Sequence, residues 1–224
     1  MSLGRPRLHL RSTASTNDVA KELAGGGAAH GTLVTAGVQT AGRGRRGRSW
    51  YAAPGEALLM SLVLREATEL LPIAAAIAAA EAIGPGAMIK WPNDILVDGR
   101  KVAGILIERR PHEDWTVLGI GVNVALTAFP PDLTESAGSL GRTPRDVEPL
   151  LASVLRELER TLAASPAGLS RAWEARDALR DRQVTWPDGD GVAAGIDAQG
   201  RLLVTRGDGT VASLDAGEVA LSRD

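Results

Sequence analysis

Four arginines fall within six residues, at Arg43, Arg45, Arg46 and Arg48, separated by Gly44 and Gly47 and preceded by Gly42. Guanidinium groups bind phosphate or carboxylate oxygens through paired hydrogen bonds, and glycines let backbone amides approach an anion. Trp50, just beyond, could stack on a purine. The same run also fits a mobile solvated loop or a nucleic-acid contact, because arginine–glycine runs bind RNA. It is not a Walker A loop, which ends in Gly-Lys-Ser or Gly-Lys-Thr. A second chemistry-bearing segment is Lys90-Trp91-Pro92-Asn93-Asp94. Proline keeps Trp91 extended and halts the strand, so Asn93 and Asp94 stand where a strand ends. Asp94 could hold a magnesium ion or accept a proton, and Asn93 could bond a phosphate or carbonyl oxygen. Taken alone, ordinary turn chemistry is the simpler explanation. In a third segment, Lys101 stands at the start of an apolar strand, where its charge could neutralise a carboxylate or an α-phosphate. Gly104 leaves room there for a flat ligand. A charged strand end after a hairpin accounts for the lysine equally. Gly119, Gly121 and Asn123 could form a pocket floor or mark a bulge.

Several elements must position these residues. Ser15 to Asp18 supply N-cap chemistry for a short helix that Gly25, Gly26 and Gly27 stop. Thr32 to Thr40 reads as a strand and turn, and Leu58 to Leu64 as a buried strand. Pro72 opens a helix through Ile73 and Ile77 that Gly84-Pro85 closes. Met88–Trp91, Ile95–Val97 and Val102–Ile107 are short strands, the last two joined by an Asp98-Gly99 hairpin turn. Trp115 to Ala125 is another strand. Residues 127–149 are loop-like, with Pro144 leading into a helix whose Leu151, Leu155, Leu158 and Leu162 share one face. A further helix surrounds Leu169, Trp173 and Arg176. From Gln183 onward, short alternating runs broken by glycine turns predict a small β-barrel or sandwich.

Composition narrows the function classes. With 224 residues, 44% hydrophobic and 23% charged, the chain has the make-up of an ordinary globular protein of one or two domains. A formal charge of −2 gives no global attraction to nucleic acid or anionic membrane, so any anion affinity must be local. The absence of cysteine excludes disulfide frameworks, thiolate zinc sites and cysteine nucleophiles. No signal peptide is visible, and the most apolar stretch, Ile73 to Ile83, is too short to span a bilayer. These features predict a soluble cytoplasmic protein.

Taken in order, the segments resemble those of the biotin protein ligases. The resemblance rests on Ser15-Thr16-Asn17, Gln39, the arginine–glycine loop with Trp50, Lys90 to Asp94, Lys101 to Ile105 and Gly119 to Asn123. It covers residues 15 to about 124 with no departure at a motif position. It implies an α+β fold in which a mixed sheet is flanked by helices, as in the class II aminoacyl-tRNA synthetase-like catalytic fold. That domain would span residues 1–180, and an SH3-like β-barrel would span 181–224. The implied reaction uses ATP and Mg²⁺ to make biotinyl-5′-AMP, then passes biotin to a lysine of a biotin carboxyl carrier protein. Ser15, Thr16, Asn17 and Gln39 would contact biotin. Gly42, Arg43, Gly44, Arg45, Lys101, Gly104 and Gly121 would complete its site. Arg45, Arg46, Arg48, Trp50, Asn93, Lys101 and Asn123 would bind the nucleotide. Lys101, Arg43 and Asp94 would carry catalysis, with Asp94 positioning or deprotonating the acceptor lysine. The metal would be held mainly by ATP phosphates, with Asn93 or Asp94 as its protein contacts. The loop is expected to be mobile without ligand and to order over the adenylate. Only 14 residues precede Ser15, too few for a helix-turn-helix unit, so a short form without operator DNA binding is expected. Edge strands of the sheet could support a homodimer. The rival readings are a lipoate or octanoate ligase or transferase of similar fold, and a nucleic-acid-binding module using the arginine–glycine loop.

Overall fold

The structure, a computed structural model, describes residues 3–110, 112–215, 217 and 219–221. The outer ends of the two expected regions, residues 1–2 and 222–224, lie outside these. In chain order the first elements are β1 (Arg7–Leu10), α1 (Thr16–Gly25), β2 (Leu33–Ala36), β3 (Ala57–Leu64) and α2 (Leu71–Ile83). Then come β4 (Met88–Lys90), β5 (Asp94–Val97), β6 (Arg100–Arg109), β7 (Thr116–Asn123), α3 (Val147–Leu162) and α4 (Pro166–Glu174). The C-terminal strands are β8 (Gln183–Trp186), β9 (Gly189–Ile196), β10 (Leu202–Thr205), β11 (Val211–Leu214) and β12 (Ala220–Leu221).

Strands β1 to β7 make one mixed sheet in the order β1-β2-β3-β7-β6-β5-β4. Among the described strand pairs of this sheet, only β1–β2 is parallel. The alternation of side chains along β3 divides the molecule. Leu58, Met60, Leu62 and Leu64 enter the main core with α2, and Val63 joins a second core on the opposite face with Ala20 and Ala24 of α1. A strand buried on both faces has no polar alternation, which is why Leu58 to Leu64 reads as a continuous apolar run. Helix α2 is buried on nearly every side because the sheet lies against one flank and α3 and α4 against the other. Its many alanines allow both neighbours to approach closely.

One of these elements is new, one is as expected and one is shorter. Strand β1 is additional to the expected elements: its Arg-Leu-His-Leu alternation covers only four residues, and as an edge strand its side chains are mostly exposed. Strand β2 ends at Ala36 and a bend at Gly37 leads the chain on to Thr40, as a strand and turn; a Cβ on Gly37 would come 3.0 Å from the Arg11 carbonyl oxygen. Helix α4 ends before Arg176, whose guanidinium donates to both Glu81 carboxylate oxygens (3.1 and 3.2 Å) and to the carbonyls of Gly84 (3.2 Å) and Ala87 (2.9 Å). Arg176→Met leaves those acceptors unpaired and is expected to lower unfolding free energy by about 2 kcal/mol. An unchanged urea midpoint would contradict this.

The C-terminal strands form a five-stranded antiparallel sheet ordered β11-β10-β9-β8-β12, with no pairing between β11 and β12 among the described residues. The expected β-barrel is therefore an open sheet as described. Val184, Ala193, Leu202, Val204 and Val219 join the main core. The Trp91 indole donates to the Gly200 carbonyl (3.1 Å), so this sheet is anchored beside the Lys90–Asp94 segment.

Candidate active site

The α1 side of the sheet carries a cavity of about 730 Å³. Its floor follows from strand register. Gly104 of β6 pairs with Gly121 of β7, which pairs with Leu59 of β3; in the next row Leu106, Gly119 and Ser61 align. The three glycines at the sheet centre, bordered by Leu59, Ser61 and Leu106, open a trough. Neither glycine row is empty space, however. A Cβ on Gly104 or Gly121 would lie 2.9 or 2.7 Å from the Trp50 indole, and one on Gly119 would lie 2.2 Å from Asn17 Oδ1. The floor that sequence reading reserved for a flat ligand is the seat of Trp50. The indole then becomes a wall of the remaining cavity.

Lys101 reaches this cavity because β6 is bulged. Ile95 opposes Ala103 while Leu96 opposes Lys101, so Val102 is an extra residue. In a regular strand, positions 101 and 104 would face opposite sides. With the bulge both line the cavity. The Lys101 ammonium lies 2.6 Å from Asp94 Oδ1 and 5.6 Å from the Trp50 ring centroid. Residues 133–138 run beside the start of β6, through Lys101 N–H to Ser136 O (2.8 Å) and Gly138 N–H to Lys101 O (2.8 Å).

The arginine–glycine loop is a closed hairpin. Trp50 N–H donates to Gly42 O (2.9 Å), Gly44 N–H to Arg48 O (2.6 Å), and Arg46 and Gly47 turn with positive φ. Arg45 donates to Asn93 Oδ1 (3.2 Å), and Asn93 Nδ2 donates to Ile105 O (3.0 Å), which ties the first two chemical segments together. Arg43 pairs with Asp18 of α1.

Ser15 occupies the N-cap of α1, but its side chain makes no capping bond. The polar residues that read as cap chemistry serve the cavity instead. Thr16 donates through its backbone N–H (2.7 Å) and hydroxyl (3.0 Å) to Gln39 Oε1. Ser61 Oγ lies 2.8 Å from Thr16 Oγ1 and 2.5 Å from Asn17 Oδ1, and Asn17 Nδ2 donates to Glu108 Oε2 at 2.7 Å. Lys21 bridges Glu108 (2.8 Å) and Asp18 (3.0 Å). Burial opposes ionisation of Glu108. Hydrogen bonds from Lys21 and Asn17, and the charges of Lys21 and Arg43, outweigh it and hold the carboxyl below its ordinary range. Asp18 is shifted down for the same reasons, against burial, by Lys21 and Arg43. A carboxyl with a depressed folded pKa stabilises above its unfolded value, about 4, and loses that contribution as pH falls through the folded value. Lys21→Met is therefore expected to flatten the fall of Tm as pH drops below about 5; a slope equal to the parent's there would contradict this.

All the site residues named from sequence line the cavity except Gly42. A Cβ there would meet Trp50 O at 2.6 Å and Gln39 Nε2 at 3.0 Å, so this glycine lets the hairpin arms close. Sequence reading missed Ser61, the single polar residue in an apolar run, and the Lys21–Glu108 pair. It also missed the walls supplied by Phe129, Leu133 and Ser136, and by Trp186 and Pro187 of the C-terminal sheet. Asn123 donates to Gly138 O (2.9 Å), while its buried Oδ1 and the buried Trp50 Nε1 have no partner among the described residues. Such atoms lining a cavity are ready to bond a ligand.

A sequence model of the biotin/lipoate A/B protein ligase family matches residues 9–124, and one of the biotin protein ligase C terminal domain matches residues 181–222. The bifunctional ligase/repressor BirA of Bacillus subtilis is 41% identical over 154 residues, covering 62% of this chain. The chain spans about half the length of that relative, 47%. A biotin–[acetyl-CoA-carboxylase] ligase of Mycobacterium tuberculosis is 35% identical over 233 residues, covering 92% of this chain and 85% of the relative. The biotin protein ligase from Aquifex aeolicus in complex with biotin and ATP superposes with a TM-score of 0.82 at 25% identity, over 98% of this chain and 100% of that one. On these matches, the chain belongs to the biotin/lipoate A/B protein ligase family.

Proposed function

We propose that the chain joins biotin to ATP as biotinyl-5′-AMP and transfers the biotinyl group to a lysine of a biotin carboxyl carrier protein. The observation that carries this reading is convergence: Arg43, Arg45 and Lys101, from two distant stretches, line one cavity. A carboxylate is a poor acyl donor because oxide would have to leave. Attack by a carboxylate oxygen on the α-phosphorus forms a mixed anhydride and expels pyrophosphate. The lysine ε-amine then attacks the acyl carbon and expels AMP. Both partners in the first step are anions, so fixed cations must offset their repulsion. Lys101, next to both the Gly104 floor and Asp94, is assigned to bridge the carboxylate and α-phosphate. Arg43 would let go of Asp18 to take the acid, and Arg45 would hold the phosphate beside Asn93. Trp50 and Asn123 would face adenine, and Thr16, Asn17 and Gln39 the ureido ring. Asp94 would take the acceptor's proton, since a free lysine of pKa about 10.4 is mostly protonated near neutrality. Thr185, Trp186 and Pro187 support a role for the C-terminal region, taken as a module from residue 181, in closing the cavity.

Among the described residues no group of three or more His, Asp or Glu side chains could hold a metal. Asp94, a single carboxylate already paired with Lys101, does not make a resident site. Mg²⁺ is accordingly read as entering on the triphosphate, as part of the nucleotide substrate. No helix among the described residues is long and apolar enough to cross a membrane, and we assign the reaction to the cytoplasm, where ATP and carrier proteins meet.

Incubation with ATP, Mg²⁺, biotin and a carrier domain should add one biotinyl mass to that domain. Modification by lipoic or octanoic acid but not by biotin would overturn the substrate assignment. A second expected outcome concerns the arginine hairpin. Adenylate should slow amide exchange across residues 42–50 as its arginines turn onto phosphate; equal exchange with and without it would exclude closure.

A further inference from the structure

We propose that Glu108 is a positioning residue that fixes, through Asn17, which way the hydroxyl protons of Ser61 and Thr16 point, and so makes the Thr16 oxygen an acceptor for a ligand N–H. The inference deepens the ligase reading and rests on it for the identity of the ligand as a cyclic urea acid.

Glu108 stands on the cavity face of β6, one row beyond Leu106, and is not itself a lining residue. An ionised carboxylate only accepts hydrogen bonds. With Nδ2 of Asn17 at 2.7 Å and the Lys21 ammonium at 2.8 Å, Glu108 holds the Asn17 amide with its NH₂ outward. Asn17 Oδ1 must then face Ser61, 2.5 Å away, above Gly119. That oxygen can only accept, so the single Ser61 hydroxyl proton is drawn to it. Ser61 has none left for Thr16 Oγ1 at 2.8 Å, so the Thr16 hydroxyl shares its own proton between Ser61 Oγ and Gln39 Oε1 (3.0 Å) and keeps its lone pairs unclaimed. Gln39 Oε1, already receiving the Thr16 backbone N–H at 2.7 Å, is likewise an acceptor, which turns Gln39 Nε2 away as the donor. The wall therefore presents an acceptor from Thr16 beside a donor from Gln39. A cyclic urea offers the complement, ring N–H donors flanking a carbonyl acceptor. A fatty or dithiolane acid offers neither, so the polarity of this wall would separate biotin from the other acids accepted by this family of folds.

Glu108→Gln reverses the relay. Lys21 can only donate, so it takes the remaining carbonyl oxygen and leaves the newly introduced amide NH₂ facing Asn17. Asn17 then turns Oδ1 outward and Nδ2 toward Ser61, whose proton passes to Thr16 and occupies the acceptor. Titration calorimetry on the full chain is expected to show biotin Kd raised about tenfold, with ATP Kd within about twofold of the parent. The double variant Asn17→Asp, Glu108→Gln places an obligate acceptor opposite Ser61 again and should return biotin Kd to within about threefold. A general structural role predicts no such recovery. Unchanged biotin affinity in Glu108→Gln, or equal loss of biotin and ATP without recovery in the double variant, would overturn the proposal. A readout independent of biotin is the Asn17 side-chain amide in the free protein. Its protons should exchange slowly in the parent and faster in Glu108→Gln; equal rates would also overturn the proposal. A parent chain that binds no biotin would sink the ligase reading instead, while the amide exchange still decides the role of Glu108.

Discussion

In Lys101→Ala, biotin-dependent pyrophosphate release is expected to fall by about a thousandfold while the fold stands. Removing one fixed donor from a developing oxyanion costs about a hundred- to a thousandfold, and Lys101 is assigned to two anions at once. Its ammonium reaches the cavity only through the Val102 bulge, with Asp94 (2.6 Å) holding it in place. Asp94 and Lys101 are each partly exposed, at 25% and 35% of their side-chain surface, so water can solvate the carboxylate left behind. A near-parental melting temperature with lost pyrophosphate release would fit. Near-parental release would remove Lys101 from the chemistry. Asp94→Asn separates the roles: adenylate should still form, while transfer to the carrier lysine slows.

Gly119→Ala should do the most damage for the smallest change in mass. The added carbon would sit 2.2 Å from Asn17 Oδ1 and 2.9 Å from Asn17 Cγ, and neither side can yield easily. Gly119 is pinned in the sheet between Leu106 of β6 and Ser61 of β3. Asn17 is buried and bonded at both ends of its amide, to Glu108 and Ser61. Overpacking of this kind costs about 1–3 kcal/mol in stability. The relay behind Thr16 would also be displaced, so biotin affinity should fall by more than tenfold, roughly the value of one lost charged hydrogen bond. Parental stability and biotin affinity together would show that the floor can relax, contrary to its packing.

The chemistry-bearing segments were legible because each is a local pattern. The arginine–glycine run, Lys90 to Asp94 and the glycines of β7 are short, and their order in the chain is itself information. The mixed sheet flanked by helices was legible through the same resemblance. Long-range facts were not. The bulge that turns Lys101 toward Gly104 depends on pairing between β5 and β6, which no single strand announces. Trp50 reads as an adenine cover from its place after the loop, yet its seat on Gly104 and Gly121 follows from two strands brought into register. Strand β1 alternates as Arg-Leu-His-Leu, but four residues at a sheet edge are too short a pattern to stand out from the surrounding chain. Ser15 to Asp18 follow the N-cap pattern closely enough that local reading assigned them to the helix, while the sheet below redirected Thr16 and Asn17 to Gln39 and Ser61. Glu108 ends an apolar strand and resembles a solvated charge until Asn17 and Lys21 are placed beside it.

Oxygen tracing tests the central chemistry most directly. The chain would be supplied with biotin labelled with ¹⁸O in both carboxylate oxygens, together with ATP, Mg²⁺ and a carrier domain, and the released nucleotide would be weighed. Attack at the α-phosphorus, followed by cleavage between the acyl carbon and the bridging oxygen, leaves one heavy oxygen on AMP and one on the biotinylated lysine. Unlabelled AMP with the label in pyrophosphate or orthophosphate would contradict adenylate formation in the cavity of Arg43, Arg45 and Lys101.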